Sequence, residues 1–151
     1  MEVRYVLLAR YAEMALDGTI SMIGGALENI PAPTVPYPIP TIYFAAKIAL
    51  SREETREQHV LGIRVIRPDG SELASVRDIA VPSGFELAPE KNFMNANTIV
   101  ALQGVVLETY GVYLFQLLYD GEVAKDARLV VEPVEPNRVT VQPDAKPEGQ
   151  Q

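Results

Sequence analysis

The stretch Glu108–Glu122, ETYGVYLFQLLYDGE, decides how this chain of 151 residues is read. Gly111, Tyr113, Phe115 and Leu117 fall on alternate positions, and Asp120-Gly121 closes the run. Alternation with a period of two is the signature of a strand, whose successive side chains point to opposite faces. An Asp-Gly pair after an apolar segment marks a hairpin, because glycine takes positive φ without strain and the short Asp side chain can satisfy backbone groups in the turn. Gly111 then permits a corner, Tyr113 ties it, Phe115 fills the core, and Asp120 and Gly121 reverse the chain.

Working outward, the same punctuation recurs at Asp17-Gly18 and Asp69-Gly70. Between the turns lie eight segments rich in β-branched, aromatic and aliphatic residues: Val3–Tyr11, Thr19–Asn29, Thr41–Leu50, Glu57–Arg67, Ser71–Val81, Thr98–Glu108, Val112–Tyr119 and Glu122–Glu132. Ile42, Phe44, Ala46, Ile48 and Leu50 share one face, as do Leu61, Ile63 and Val65. The expected fold class is all-β, an antiparallel sandwich of about eight strands. The first and seventh segments are apolar on both faces, which suits strands covered on each side by chain or by a partner. Ser51-Arg52-Glu53-Glu54 carries the capping-box pattern and predicts a helical turn near Arg52–Arg56. Five prolines between Pro31 and Pro40 predict a stiff extended crossing between two sheets, outside any central strand, with a polyproline ligand as the alternative. The domain is expected to span 1–132, followed by a flexible Pro-rich tail over 133–151 in which Arg138–Val141 could add an edge strand.

Gly-x-Tyr-x-Phe at the start of a late strand resembles the tyrosine corner of immunoglobulin-like sandwiches, where the hydroxyl bonds a backbone group slightly upstream. Antibody domains place a cysteine where Phe115 stands and bury a tryptophan, and this chain has neither residue type. The likeness is therefore to the sandwich class. On a larger scale the chain resembles an uncharacterised bacterial family of small cytoplasmic proteins. The resemblance rests on YVLLARYAEMALDGTISMIGGALENI, the proline-rich crossing, IRVIRPDGSEL and GVYLFQLLYDGE, in that order, and runs to about Glu132. It implies an immunoglobulin-like β-sandwich and carries over no activity and no catalytic residue.

Twenty acidic against thirteen basic side chains leave a formal charge of −7, which repels phosphate backbones and anionic lipid heads. Neither nucleic acid nor membrane is expected as a partner, and no apolar run approaches the roughly 18–20 residues of a membrane span. The start MEVRYVLLAR lacks the basic and long apolar regions of an export signal, and the absence of cysteine fits a reducing compartment; a cytoplasmic location is expected.

His59 is the only histidine, so one chain cannot build a two-histidine metal site, and any triad must use this residue. Glu53, Glu54 and Glu57 are interleaved with Arg52 and Arg56, as in a solvated charged turn. No calcium loop and no Gly-x-Ser-x-Gly elbow is present. No cofactor, metal or catalytic residue is expected. The segment Glu90–Thr98, EKNFMNANT, reads as a loop whose amides and aromatic ring suit a sugar or peptide. Three functions compete. The first is a non-catalytic binding or assembly module acting on a protein partner or on itself, a homodimer being the simplest case. The second is a small-ligand or carbohydrate-binding sandwich using Tyr37, Phe93, Asn95 and Asn97. The third is an enzyme using His59 with Glu57 or Tyr113.

Overall fold

The computed structural model describes residues 1–135; the expected tail strand at Arg138–Val141, and the tail from 136 onward, lie outside the described residues. Nine strands follow one another: β1 (Glu2–Met14), β2 (Ile20–Gly25), β3 (Asn29–Ala32), β4 (Tyr37–Ser51), β5 (Val60–Ile66), β6 (Glu72–Ala80), β7 (Phe93–Leu107), β8 (Gly111–Tyr119) and β9 (Glu122–Pro133). They form a four-stranded sheet A in the order β2-β1-β4-β7 and a five-stranded sheet B in the order β3-β9-β8-β5-β6. No helix occurs among the described residues.

One apolar core joins the sheets. Sheet A contributes Leu8, Ile42, Phe44, Ile48 and Leu102, and sheet B contributes Ile63, Val65, Tyr113, Phe115 and Leu117. Each is almost fully buried, and each aliphatic or aromatic side chain so placed contributes roughly 1.5–3 kcal/mol. The even positions of β4 and the odd positions of β8 face inward, as their alternation requires. Past Gly104, which has φ +66°, the inward set of β7 changes parity from Leu102 to Val105 and Leu107.

Several expectations need correction. Among the described residues there are nine strands where about eight were expected, and the one not foreseen, β3, pairs parallel with β9 over Asn29–Ala32 and Val130–Pro133, so sheet B is mixed. A four-residue edge strand containing Pro31 leaves too little alternation to read. Glu90–Thr98 is only in part a loop, because β7 begins at Phe93 opposite Ser51. Met94 and Ala96 pack on the core, while Asn95 and Asn97 alternate outward and disguise the strand as polar. The proline stretch is a crossing between sheets only over 33–36; Pro38 and Pro40 belong to β4, which lies between β1 and β7. β1 pairs with β4 only over Tyr43–Ala49, so Tyr37–Thr41 is bonded on one side by β7 alone. That stretch is locally an edge, where a missing N–H is tolerated.

The capping box at Ser51 forms, with Ser51 N donating to Glu54 Oε2 at 2.8 Å and Glu54 N to Ser51 Oγ at 3.3 Å. It caps a single turn, closed by Thr55 N on the Ser51 carbonyl at 3.1 Å.

Two of the Asp-Gly turns are built alike. Asp17 Oδ1 accepts from Thr19 N at 3.0 Å and Thr19 Oγ1 at 2.6 Å, and Asp69 Oδ1 from Ser71 N at 2.9 Å and Ser71 Oγ at 2.6 Å. The third is a two-residue turn in which Asp120 and Gly121 both have positive φ, 48° and 86°, as the twist of a tight hairpin demands. Hydrogen bonds from Thr19 and Ser71 side chains, then backbone, hold the Asp17 and Asp69 carboxyls below the usual carboxylate range. At Asp120 the Val60 N–H does so first and His59 second. A folded-state pKa below the unfolded value gives stability that is complete above the unfolded pKa, about 4 for Asp, and is lost as pH falls through the folded values. The thermal midpoint is therefore expected to hold from neutral pH to about pH 5 and to drop below about pH 4, read by circular dichroism. A midpoint unchanged down to about pH 2 would remove this role for the three turns.

Candidate functional site

His59 sits just before β5, with Nδ1 2.6 Å from Asp120 Oδ2, while Asp120 Oδ1 accepts from Val60 N at 3.0 Å. The ring stacks on Tyr119 with centroids 4.9 Å apart, and the side chain is 11% exposed. Asp120 thus fastens the β8–β9 turn to the start of β5. His59 Nε2 and the Tyr119 hydroxyl are buried without a hydrogen-bond partner. Burial first, then the carboxylates of Glu54, Asp120 and Glu57, push the Tyr119 hydroxyl up to about 12. That keeps it protonated, the opposite of what a nucleophile or base requires. Of the third hypothesis, Tyr113 is committed elsewhere: its hydroxyl donates to the Thr109 carbonyl at 2.9 Å and accepts from Thr109 N at 3.2 Å. Glu54 pairs with the Met1 ammonium. No group of three or more metal-binding side chains occurs among the described residues.

The residues named for a small ligand are not brought together. Tyr37 lies opposite Leu107 and Phe93 opposite Ser51, so they mark opposite ends of β4, about 45 Å apart at the rise of an extended strand. Tyr37 borders a groove with Arg10, Leu27, Pro31 and Pro38. Phe93 and Asn95 border a different, open groove of about 720 Å³ together with Phe85, Asn92 and Met94. One wall of that groove is held by Arg52, whose guanidinium donates to the carbonyls of Leu87, Ala88, Pro89 and Lys91 at 2.6–3.3 Å. Asn97 faces neither groove; its Nδ2 donates to the Gly18 carbonyl at 2.7 Å.

This last bond locates a larger surface. Gly18 is at the tip of the β1–β2 hairpin, and Asn97 projects from the side of sheet A opposite the core. β4 lies between β1 and β7, so the hairpin passes over the outer side of β4 to reach Asn97. Ala9, Ala45 and Ala49 alternate away from the core set and are nevertheless 0%, 0% and 5% exposed, which shows that this side is covered too. Small side chains there let the strands above approach closely.

The hairpin in turn exposes apolar groups: Tyr11 at 42%, Met14 at 46%, Ile23 at 68% and Leu16 completely. Tyr11 and Ile23 are direct cross-strand partners and share a face. Four of the nine large apolar side chains exposed among the described residues lie on this one hairpin, so they form a group and not the scatter normal to a protein surface. The sequence signal was the two-faced apolar character of the first strand, but Leu16 fell between the expected strands and Ile23 was read only as part of the strand Thr19–Asn29.

A family model described as a family of unknown function, DUF6941, matches residues 4–132, the whole of the two sheets except the ends of β1 and β9. No curated protein matches the chain.

Proposed function

Since the chain belongs to DUF6941, a family of unknown function, we propose from its own surface that it is a non-catalytic association module whose β1–β2 hairpin meets a protein partner or a second copy. The apolar group Tyr11, Met14, Leu16 and Ile23 carries this reading. Leaving such side chains in water forgoes burial free energy that a contact would recover, at roughly 25 cal/mol per Å². The immunoglobulin-like class belongs to the same proposal, supported by the bond from Tyr113 to Thr109 across four residues and by the two facing sheets. A bacterial cytoplasm suits the cysteine-free, acidic composition.

The double variant Leu16→Glu/Ile23→Glu tests the reading. Both side chains are exposed, so the melting temperature is expected to stay within a few degrees of wild type, while the association constant read by sedimentation, and the recovery of bound protein from the native cells, fall at least tenfold. Equal association by variant and wild type refutes the assignment to the hairpin.

One observation favours a second reading. The groove beside Phe85, Phe93 and Asn95 offers two half-exposed rings and two amides to a sugar or small polar ligand. A glycan and metabolite screen without any thermal shift would remove it.

A further inference from the structure

A sheet edge presents unpaired N–H and C=O groups to any passing strand, and proteins blunt such edges with brevity, proline, charge or bulges. Three of the four edge strands here are blunted. β2 has six residues and ends in a glycine pair, with Gly24 at φ +60°. β3 has four residues, one of them Pro31. β6 carries Glu72, Arg77 and Asp78, and Asp78 sits at φ +56° where the register with β5 shifts. Even the locally open part of β4 is guarded by Pro38 and Pro40.

β7 is the exception. It is fifteen residues long, FMNANTIVALQGVVL, and contains no charged residue and no proline. Among the described residues it pairs with β4 alone, and no loop backbone hydrogen bond reaches it. In a chain of net charge −7, an uncharged edge of fifteen residues lets a second equally acidic copy approach with little like-charge repulsion.

We infer that β7 pairs antiparallel with β7 of a second copy, about an axis at Val100, to make one continuous eight-stranded sheet. This inference rests on the association reading above and names its partner. In that register Asn97 faces the partner's Gln103 and Ile99 the partner's Ala101, so amide meets amide and apolar meets apolar. Between Asn97 and Gln103, before the parity change at Gly104, paired positions have the same parity, so core-facing residues stay on the core side and the faces of both sheets are continuous there. The hairpin tip, held on Asn97 through Gly18, lies beside the junction and brings exposed Leu16 to it. Main-chain bonding supplies the attraction, as in strand addition generally.

Ala101 and Gln103 are exposed and project away from the core, so charges placed there test the junction and leave the interior alone. The full chain is expected to sediment at twice its monomer mass. Ala101→Lys/Gln103→Lys and Ala101→Glu/Gln103→Glu are each expected to sediment as monomers, and an equimolar mixture of the two to regain the doubled mass. Wild type that stays monomeric at all concentrations overturns the inference, as does a dimer indifferent to both variants or a mixture that stays monomeric. Hydrogen exchange of the wild type gives an independent readout: protection of 97–103 should fall on dilution. Protection independent of concentration also overturns the inference. A monomer that still binds another protein through Leu16 and Ile23 would refute this pairing and leave the association reading standing.

Discussion

Phe115→Ala is expected to destabilise the protein by about 3–5 kcal/mol, as for other large-to-small substitutions at buried aromatic positions. Phe115 is fully buried on β8, opposite Val65 of β5 and Ala127 of β9, and points at the residues of sheet A in the shared core. Strand pairing on both sides fixes the backbone, so the cavity cannot close by a shift of β8, and the cost falls toward the upper end of that range. Domains of this size have a total stability of about 5–15 kcal/mol. The variant should therefore lose a third or more of its resistance to urea, with the m-value preserved. A loss under about 1 kcal/mol would mean that the two sheets do not meet at Phe115.

Gly111→Ala is the second large effect, for a different reason. Gly111 begins β8 with φ +130°, and a Cβ there would lie 2.9 Å from both Cβ and Cγ of Pro68. The proline ring cannot swing aside as a flexible side chain could, so backbone strain adds to overlap. Each of these effects costs on the order of 1–3 kcal/mol, and together they should lower stability by about 3 kcal/mol. Pairing the change with Pro68→Ala separates the two. The double variant should recover the part due to overlap and retain the part due to φ. A Gly111→Ala protein as stable as wild type would contradict the corner geometry.

The sequence made the corner legible because every element of it is local. Gly111, Tyr113 and the Thr109 carbonyl lie within five residues, and two of the Asp-Gly turns carry their own hydrogen bonds through Thr19 and Ser71. The core faces of β4, β5 and β8 were equally readable, since their large apolar side chains recur at every second position. β3 was hidden because its partner β9 lies about a hundred residues away and the pairing is parallel. The start of β7 was hidden because Asn95 and Asn97 face away from the core and read as a turn. Tyr37 and Phe93 looked like companions in sequence only because nothing in composition reveals that β4 holds them at opposite ends.

Of the candidate surface, the first strand's two-faced apolar character was visible, but its meaning was not. A hairpin folded over the outer side of its own sheet explains part of that character through Ala9. The rest, at Tyr11 and Ile23, remains turned to solvent. The uncharged edge of β7 could have been read as a run of fifteen residues without Asp, Glu, Lys, Arg or Pro, yet only the strand order shows that this run is an edge. The position of His59 between Asp120 and Tyr119 was not legible, because it depends on a hairpin sixty residues away.

The most direct test of association through the outer layer of sheet A is to place a photo-reactive amino acid at position 16 of the full chain and irradiate it in the cells that make it. The account predicts a covalent adduct joining residue 16 to a second copy or to another protein, abolished by Ile23→Glu. Recovery of only unlinked chain, with β1 and β2 intact by circular dichroism, would contradict it.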